Sequence, residues 1–276
     1  MFKRIFSFFL LSILSFFLTT LSIKYIKYFD PLMIYLKENT HLYEKDAEDA
    51  VLNDFSMLPG RKGVEIDIDK SYNLMKKYGG FNEQLLVYKD IVPTISILDI
   101  YDKYINSGNL DNPNISLIFK IDNYDYINEI VSILKDKDVI GTFFLNDELI
   151  YDKNLLIYLY LNNQEVEYYS DKYDFNKLRY IDIYVSSYIS KNLSFCYDLE
   201  YNKTNIETCS FKRLHMVIPS LNINNHPFYE VSNNLKNGLI ISFDNNQMLI
   251  KELRYIINYT RQKNYEIVSL KKLLEE

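Results

Sequence analysis

The 276-residue sequence has no tryptophan, two cysteines and three histidines. His41, His215 and His226 are scattered along the chain, so no metal site is expected from them. Cys196 and Cys209 fit neither a CxxC redox motif nor a zinc knuckle. A P-loop, a GxGxxG turn and a Ser-His-Asp order are all missing. The formal net charge is -6, and no concentrated basic stripe is present. The electrostatic term that drives nucleic-acid binding is therefore lacking, and no nucleic-acid partner is expected. What remains is 48% hydrophobic and 25% charged, ordinary for a globular chain of one or two domains. The 26 tyrosines, with abundant Ile, Asn and Lys, read as a bias of AT-rich coding rather than as chemistry.

Met1-Phe2-Lys3-Arg4 precedes an uncharged run from Ile5 to Ile23. As a helix that run is about 28 Å long, close to the hydrocarbon thickness of a bilayer. Lys3 and Arg4 should stay cytoplasmic, which places the remainder outside in a single-pass arrangement at the cell membrane. A cleaved signal peptide is the alternative, but the run ends Thr19-Thr20-Leu21-Ser22-Ile23-Lys24 without an Ala-x-Ala site. Either reading exports the chain. Outside the reducing cytosol, Cys196 and Cys209 could close a disulfide worth about 3 kcal/mol. The alternative is two unpaired, small hydrophobic side chains.

Four segments are expected: an anchor at 1–23, a stalk at 24–58, an N-terminal extension at 59–111 and a main domain at 112–276. The stalk holds a helical run, Asp46-Ala47-Glu48-Asp49-Ala50-Val51-Leu52. In the extension, Val64 to Ile68 alternates as a strand and Asp69 to Lys77 suits a short helix before Gly79-Gly80. From Asp111 onward a βα rhythm sets in. Strands are expected at Ile115–Phe119, Val139–Leu145, Met216–Ile218, Leu239–Phe243 and Tyr265–Leu270. Helices are expected at Tyr126–Leu134, Leu155–Leu161 and Met248–Lys263, with a last one starting at Lys271. Alternating strands and helices argue for a parallel sheet, open or closed as a barrel, with its site at the strand C-terminal ends.

These segments resemble the polysaccharide deacetylase family, the NodB homology domain, over residues 112–276. Ile133 to Leu145 (ILKDKDVIGTFFL) is similar to the family's "ILKKYNVKATFF" element. Leu117-Ile118-Phe119 resembles the "LTF" that opens its first motif. Gly238 to Asp244 resembles "GSIILLHD", and Lys263 to Leu270 resembles "KGYRFVTL". The resemblance implies an α/β fold, a distorted parallel (β/α) barrel of the polysaccharide deacetylase type. Ahead of it come an N-terminal transmembrane helix and a small α+β extension.

The family's chemistry is removal of an acetyl group from an N-acetylated sugar by a divalent metal held on one Asp and two His. A second Asp acts as base, and a late His protonates the leaving amine. In the matching positions this sequence has Lys120 for the base, Ile121 for the metal Asp, Tyr169 and Tyr173 for the metal histidines and Phe243 for the late His. Asp122 comes one residue late, and Asp244 survives beside Phe243. The Arg-Pro-Pro-Tyr-Gly motif is not recognisable near Phe195-Cys196-Tyr197. No cofactor is expected, and catalysis is not expected from these positions. Asp122, Tyr169, Tyr173 and Asp244 are the candidate ligand-binding residues, Tyr offering an apolar face with a polar tip. Glu165, Glu167 and Asp171 are expected to form a solvated loop edge. The expected function is a catalytically inactive, membrane-anchored, deacetylase-like protein that binds a cell-envelope glycan or a protein partner. The alternative is a working carbohydrate N-deacetylase holding Zn, Co or Ni on relocated ligands.

Overall fold

A computed structural model of the chain describes residues 2–276. The chain opens with α1 (Phe2–Tyr28) and α2 (Pro31–Asn39), then β1 (Val51–Leu52) and β2 (Ser56–Leu58). Next come β3 (Gly63–Ile66), α3 (Ile68–Tyr78), β4 (Tyr88–Ile91) and β5 (Tyr104–Ile105). The βα series follows: β6 (Asn114–Ile121), α4 (Ile127–Asp136), β7 (Thr142–Leu145), α5 (Lys153–Leu161) and β8 (Glu165–Tyr168). It continues through α6 (Phe175–Ile189), β9 (Phe195–Tyr197), α7 (Lys203–Phe211), β10 (His215–Val217), β11 (Leu221–Ile223) and α8 (Pro227–Asn234). It ends with β12 (Ile240–Asp244), α9 (Gln247–Gln262), β13 (Glu266–Val268) and α10 (Leu270–Leu273).

The contacts divide the chain into two compact units, one of Met1–Ala47 with Lys62–Val92 and one of Glu48–Arg61 with Pro93–Glu276. In the first, Phe9–Tyr28 is long and apolar enough to cross a membrane. Every side chain from Phe9 to Ser22 is exposed. The side chains of Lys3 and Arg4, on which the expected orientation rests, lie outside the described residues. Asp30 caps α2 by accepting from the Leu32 N–H at 2.9 Å, which satisfies one of the free donors of a helix start. β3 and β4 pair antiparallel, and Met33, Leu36, Ile66, Tyr72, Met75 and Leu86 form the core. The expected strand and helix on either side of Asp67 are both present. Gly79 ends α3 in the left-handed region (φ 88°), a conformation that suits glycine at a helix C-terminus.

Two expectations are corrected by the region expected to be a stalk. Residues 24–47 belong to the first unit and 48–58 to the second, so the segment is not one free spacer. The run from Asp46 to Leu52 is extended, not helical. Within the second unit, Glu48 and Arg61 exchange backbone hydrogen bonds at 2.8 and 2.9 Å, and the Ala50 N–H donates to Ile95 at 2.8 Å. A Cβ on Gly60 would lie 2.2 Å from the Glu48 carbonyl oxygen, so only glycine allows this approach. Tertiary pairing overrides the local helix preference of Ala and Glu here.

The second unit holds two sheets. One runs β11-β12-β6-β7-β8, with β13 also on β6, and all its pairs are parallel. The other runs β1-β2-β5-β10-β9 and is parallel except for the β1–β2 pair. Strand alternation sorts the core into two layers. Leu117, Phe119, Ile121, Phe143, Leu145, Ile241 and Phe243 pack outward with buried residues of α4, α5, α6 and α9. Ile118, Phe144, Tyr169, Tyr197, Val217, Ile240 and Val268 form an inner layer drawn from both sheets. The structure is thus α/β with parallel strands, as the resemblance implies, but the strands pair as two separate sheets.

β8 and β9 are not joined by a backbone ladder. Glu167, buried in β8, reaches across instead. Its carboxyl oxygens accept from the N–H groups of Ser194 (2.9 Å) and Phe195 (3.0 Å). Glu167 is therefore a structural link between strands, which corrects the expected solvated loop edge. Glu165 also lies in β8 and accepts from the Thr142 hydroxyl at 2.7 Å; Asp171 is exposed, as expected.

Cys196 and Cys209 form a disulfide that ties β9 to α7. Both residues are fully buried. Closing this loop of 13 residues should stabilise the second unit by about 3 kcal/mol. The double change to Ser should lower the urea midpoint by that equivalent, and a midpoint equal to wild type would show that the bridge adds nothing.

Candidate functional site

The C-terminal ends of β6, β8 and β12 bring Lys120, Asp122, Tyr169 and Asp244 together. Alternation along β6 places Ile118, Lys120 and Asp122 on the inner side and Phe119 and Ile121 on the helix-facing side. Along β12 it places Ile240, Ser242 and Asp244 inward and Ile241 and Phe243 outward. The Lys120 Nζ lies 3.0 Å from Asp122 Oδ2 and 5.1 Å from the centre of the Tyr169 ring. The lysine side chain is 22% exposed and the Asp122 side chain 49%. An ion pair this open contributes at most about 1 kcal/mol, so its main effect is to orient the ammonium. Lys120 is not a freely solvated strand-end lysine.

Asp244 sits beside Lys120 in the β12–β6 register. Burial pushes its carboxyl up from the ordinary range, Lys120 pulls it back down and Asp122 pushes it up again. Among the described residues its carboxylate has no hydrogen bond or ion pair. Beneath these charges Tyr197 packs against Tyr169 (5.9 Å between centroids) and Phe144 (5.2 Å). Its hydroxyl lies 3.0 Å from Ser242 Oγ. Burial raises the Tyr197 phenol well above its usual range, so it stays neutral. Tyr197 and Ser242 were not singled out from the sequence. Their signal was available only as the residues that alternation puts next to Cys196 and Phe243 on the inner side.

Tyr173 does not join this group. It is buried in the outer layer. Its hydroxyl accepts from the Tyr197 N–H at 2.9 Å and donates to the Tyr197 carbonyl at 3.0 Å. It links the segment after β8 to β9 and is buried away from any ligand. The expectation that Tyr173 contacts sugar is corrected on that ground. Phe243 and Ile121 are fully buried, and Phe243 packs against Phe119 at 5.9 Å.

The residues at the three metal positions do not fit a divalent cation. Ile121 has no donor atom and faces the helices. Tyr173 is committed to backbone groups and is held neutral by burial, which raises its phenol. Tyr169 is a phenol where imidazole would be needed. Among the described residues no group of three or more His, Cys, Asp or Glu side chains is placed to hold a metal. The three histidines lie apart: His41 in the turn after α2, His215 in β10 and His226 at the start of α8. The site offers an ammonium, two carboxylates and, buried beneath them, the Tyr169 and Tyr197 rings.

This architecture is the fold of the family 4 carbohydrate esterases, the polysaccharide deacetylase type. One solved structure with it is BA3943 from Bacillus anthracis, a CE4 family pseudoenzyme, with a TM-score of 0.69 and 18% identity over 90% of this chain and 96% of that one. A BA3943 mutant with restored enzymatic activity is similar to the same extent, covering 99% of that chain. A family 4 carbohydrate esterase from Bacillus anthracis reaches a TM-score of 0.54 at 18% identity, over 64% of this chain and 89% of the other. The Bc1960 peptidoglycan N-acetylglucosamine deacetylase reaches 0.55 at 17% identity, over 64% and 94%. In sequence, the uncharacterized protein YlxY of Bacillus subtilis is 30% identical over 118 residues, 42% of this chain. The match spans 37% of that relative's length. No family model matches the chain.

Proposed function

We propose that the chain is a membrane-anchored, extracytoplasmic, deacetylase-like protein that does not hydrolyse its ligand but binds a cell-envelope glycan at the strand ends. One observation carries this reading. The fold is kept, while every position for metal binding or proton transfer is replaced, by Lys120, Ile121, Tyr169, Tyr173 and Phe243. The likeness to BA3943, a pseudoenzyme, supports it. A glycan is favoured over a protein partner because the solved neighbours include a carbohydrate esterase and a peptidoglycan deacetylase. Export is supported by the apolar helix α1 and by the Cys196–Cys209 disulfide, which persists in oxidising compartments.

Full-length protein in detergent should contain no stoichiometric zinc, cobalt or nickel by elemental analysis. It should release no acetate from chitooligosaccharide or peptidoglycan above buffer. One equivalent of metal together with acetate release would establish the working deacetylase with relocated ligands instead.

A further inference from the structure

We propose that the first unit is seated on the bilayer, with the exposed apolar side chains around the turn from α1 to α2 lodged in the lipid headgroup layer. The proposal rests on the membrane-anchor reading above and names the surface that meets lipid beyond the spanning helix.

The side chains concerned are Tyr25, Ile26, Tyr28, Phe29 and Ile34, all exposed. They lie at the C-terminal end of the apolar span Phe9–Tyr28 and just past it, so they continue its surface. The ring of Phe29 packs on Tyr25 at 4.8 Å and on Tyr28 at 5.3 Å between centroids. Ile34 is on the outward side of α2, while Met33 and Leu36 enter the core of the unit. A contiguous group of large apolar side chains is unfavourable against water and marks a contact surface. Tyrosine, with an apolar body and a polar tip, settles at the boundary between hydrocarbon and headgroups.

The charges agree with lipid as the occupant. Between residues 25 and 37 the one carboxylate is Asp30. It is turned to α3, where it accepts from the Tyr72 hydroxyl at 3.1 Å and pairs with Lys76. The Lys37 ammonium lies 3.8 Å from the centre of the Tyr28 ring and has no carboxylate partner among the described residues. It is free to meet a lipid phosphate through charge-assisted hydrogen bonds. The joint is also short and fastened. Lys27 pairs with Asp69 at 2.7 Å, and Asp30 pairs with Lys76, so two ion pairs hold the end of α1 to α3. A unit fastened at the point where the helix leaves its apolar span is kept close to the lipid surface, whereas a loose stalk would let it drift away.

The chain has no tryptophan, so a single introduced one reports its own surroundings. Full-length Leu14→Trp, Phe29→Trp, Ile34→Trp and Tyr78→Trp variants are reconstituted in phosphatidylcholine vesicles brominated near the upper or the lower end of the acyl chain. Leu14→Trp, in the middle of α1, should be quenched most by the deep bromine. Phe29→Trp and Ile34→Trp should emit at shorter wavelength than in water and be quenched at least about twofold by the shallow bromine. Tyr78→Trp, exposed at the end of α3, should keep its emission in both. Water-like emission from Phe29→Trp and Ile34→Trp, with Leu14→Trp quenched, would overturn the seating and leave the anchor standing. Quenching of Phe29→Trp without Ile34→Trp would confine the contact to the end of α1 and overturn it as well. Loss of quenching in Leu14→Trp would remove the anchor reading and the proposal with it. Tyr78→Trp quenched as strongly as Ile34→Trp would show lipid contact without a preferred surface and overturn the assignment.

Discussion

Glu167→Ala should cost the second unit roughly 3–4 kcal/mol. The substitution strips the acceptor from the N–H groups of Ser194 and Phe195, and a buried backbone donor left unpaired costs about 1–3 kcal/mol. Glu167→Gln keeps a carbonyl oxygen in place and should cost much less. The pH dependence gives a second readout. Burial pushes the Glu167 carboxyl up, and the two N–H groups pull it down by less. The folded chain therefore holds this proton more tightly than the unfolded chain does. Its contribution is fully present below the unfolded value near 4.5 and is lost as pH rises toward the higher folded value. Urea unfolding of wild type, Glu167→Ala and Glu167→Gln across that range measures both effects. A Glu167→Ala protein within about 1 kcal/mol of wild type would show that the β8–β9 junction does not depend on the carboxylate.

His215 should make the second unit acid-sensitive. Its imidazole is buried, stacked on Tyr101 at 4.5 Å, and Nδ1 has no hydrogen-bond partner. Burial pushes its pKa down from 6.5 to about 4. The neutral ring is thus favoured in the folded chain, and between those values the unfolded chain binds more protons. Stability should fall as pH drops from about 6.5 to about 4, by up to about 3 kcal/mol from this one group. His215→Phe keeps the stacking surface and removes the titration. Carboxylates also titrate in this window, so the informative quantity is the difference in urea midpoint between wild type and variant at pH values either side of it. A difference that stays constant across the window would rule out His215 as the source.

Segments with strong periodicity were read from the sequence with the right type and place. The strand around Ile115–Phe119, the helix α4, the strand that ends in Thr142-Phe143-Phe144 and the helix α9 all sit where their apolar spacing put them. Those elements are buried on one or both faces, so their hydrophobic pattern carries the information. The stretch from Glu165 to Phe211 was harder to read. Glu165 and Glu167 break the apolar run of β8, and the polar residues of α7 give it almost no apolar face. Burial of Glu167 depends on two N–H groups in a strand 27 residues away, which no local pattern records. Asp46 to Leu52 failed for the opposite reason. Its composition favours a helix, while Arg61 and Ile95 supply backbone partners that only an extended chain can use.

The sequence by itself determined the βα order, the apolar N-terminal run and the replacement of the residues that hold metal in the deacetylase motif, because each depends on residue identity along the chain. Ile cannot ligate a metal in any fold. The tertiary structure decided which of the replacing residues can meet a ligand. Strand alternation turned Ile121 and Phe243 into the helix-facing core and turned Lys120, Asp122 and Asp244 to the inner side. Packing then spent the Tyr173 hydroxyl on the Tyr197 backbone and left the Asp244 carboxylate without a donor. A one-residue offset on a strand reverses the side a residue faces, so the direction of each side chain could be settled only by the register of β6 and β12 in the sheet.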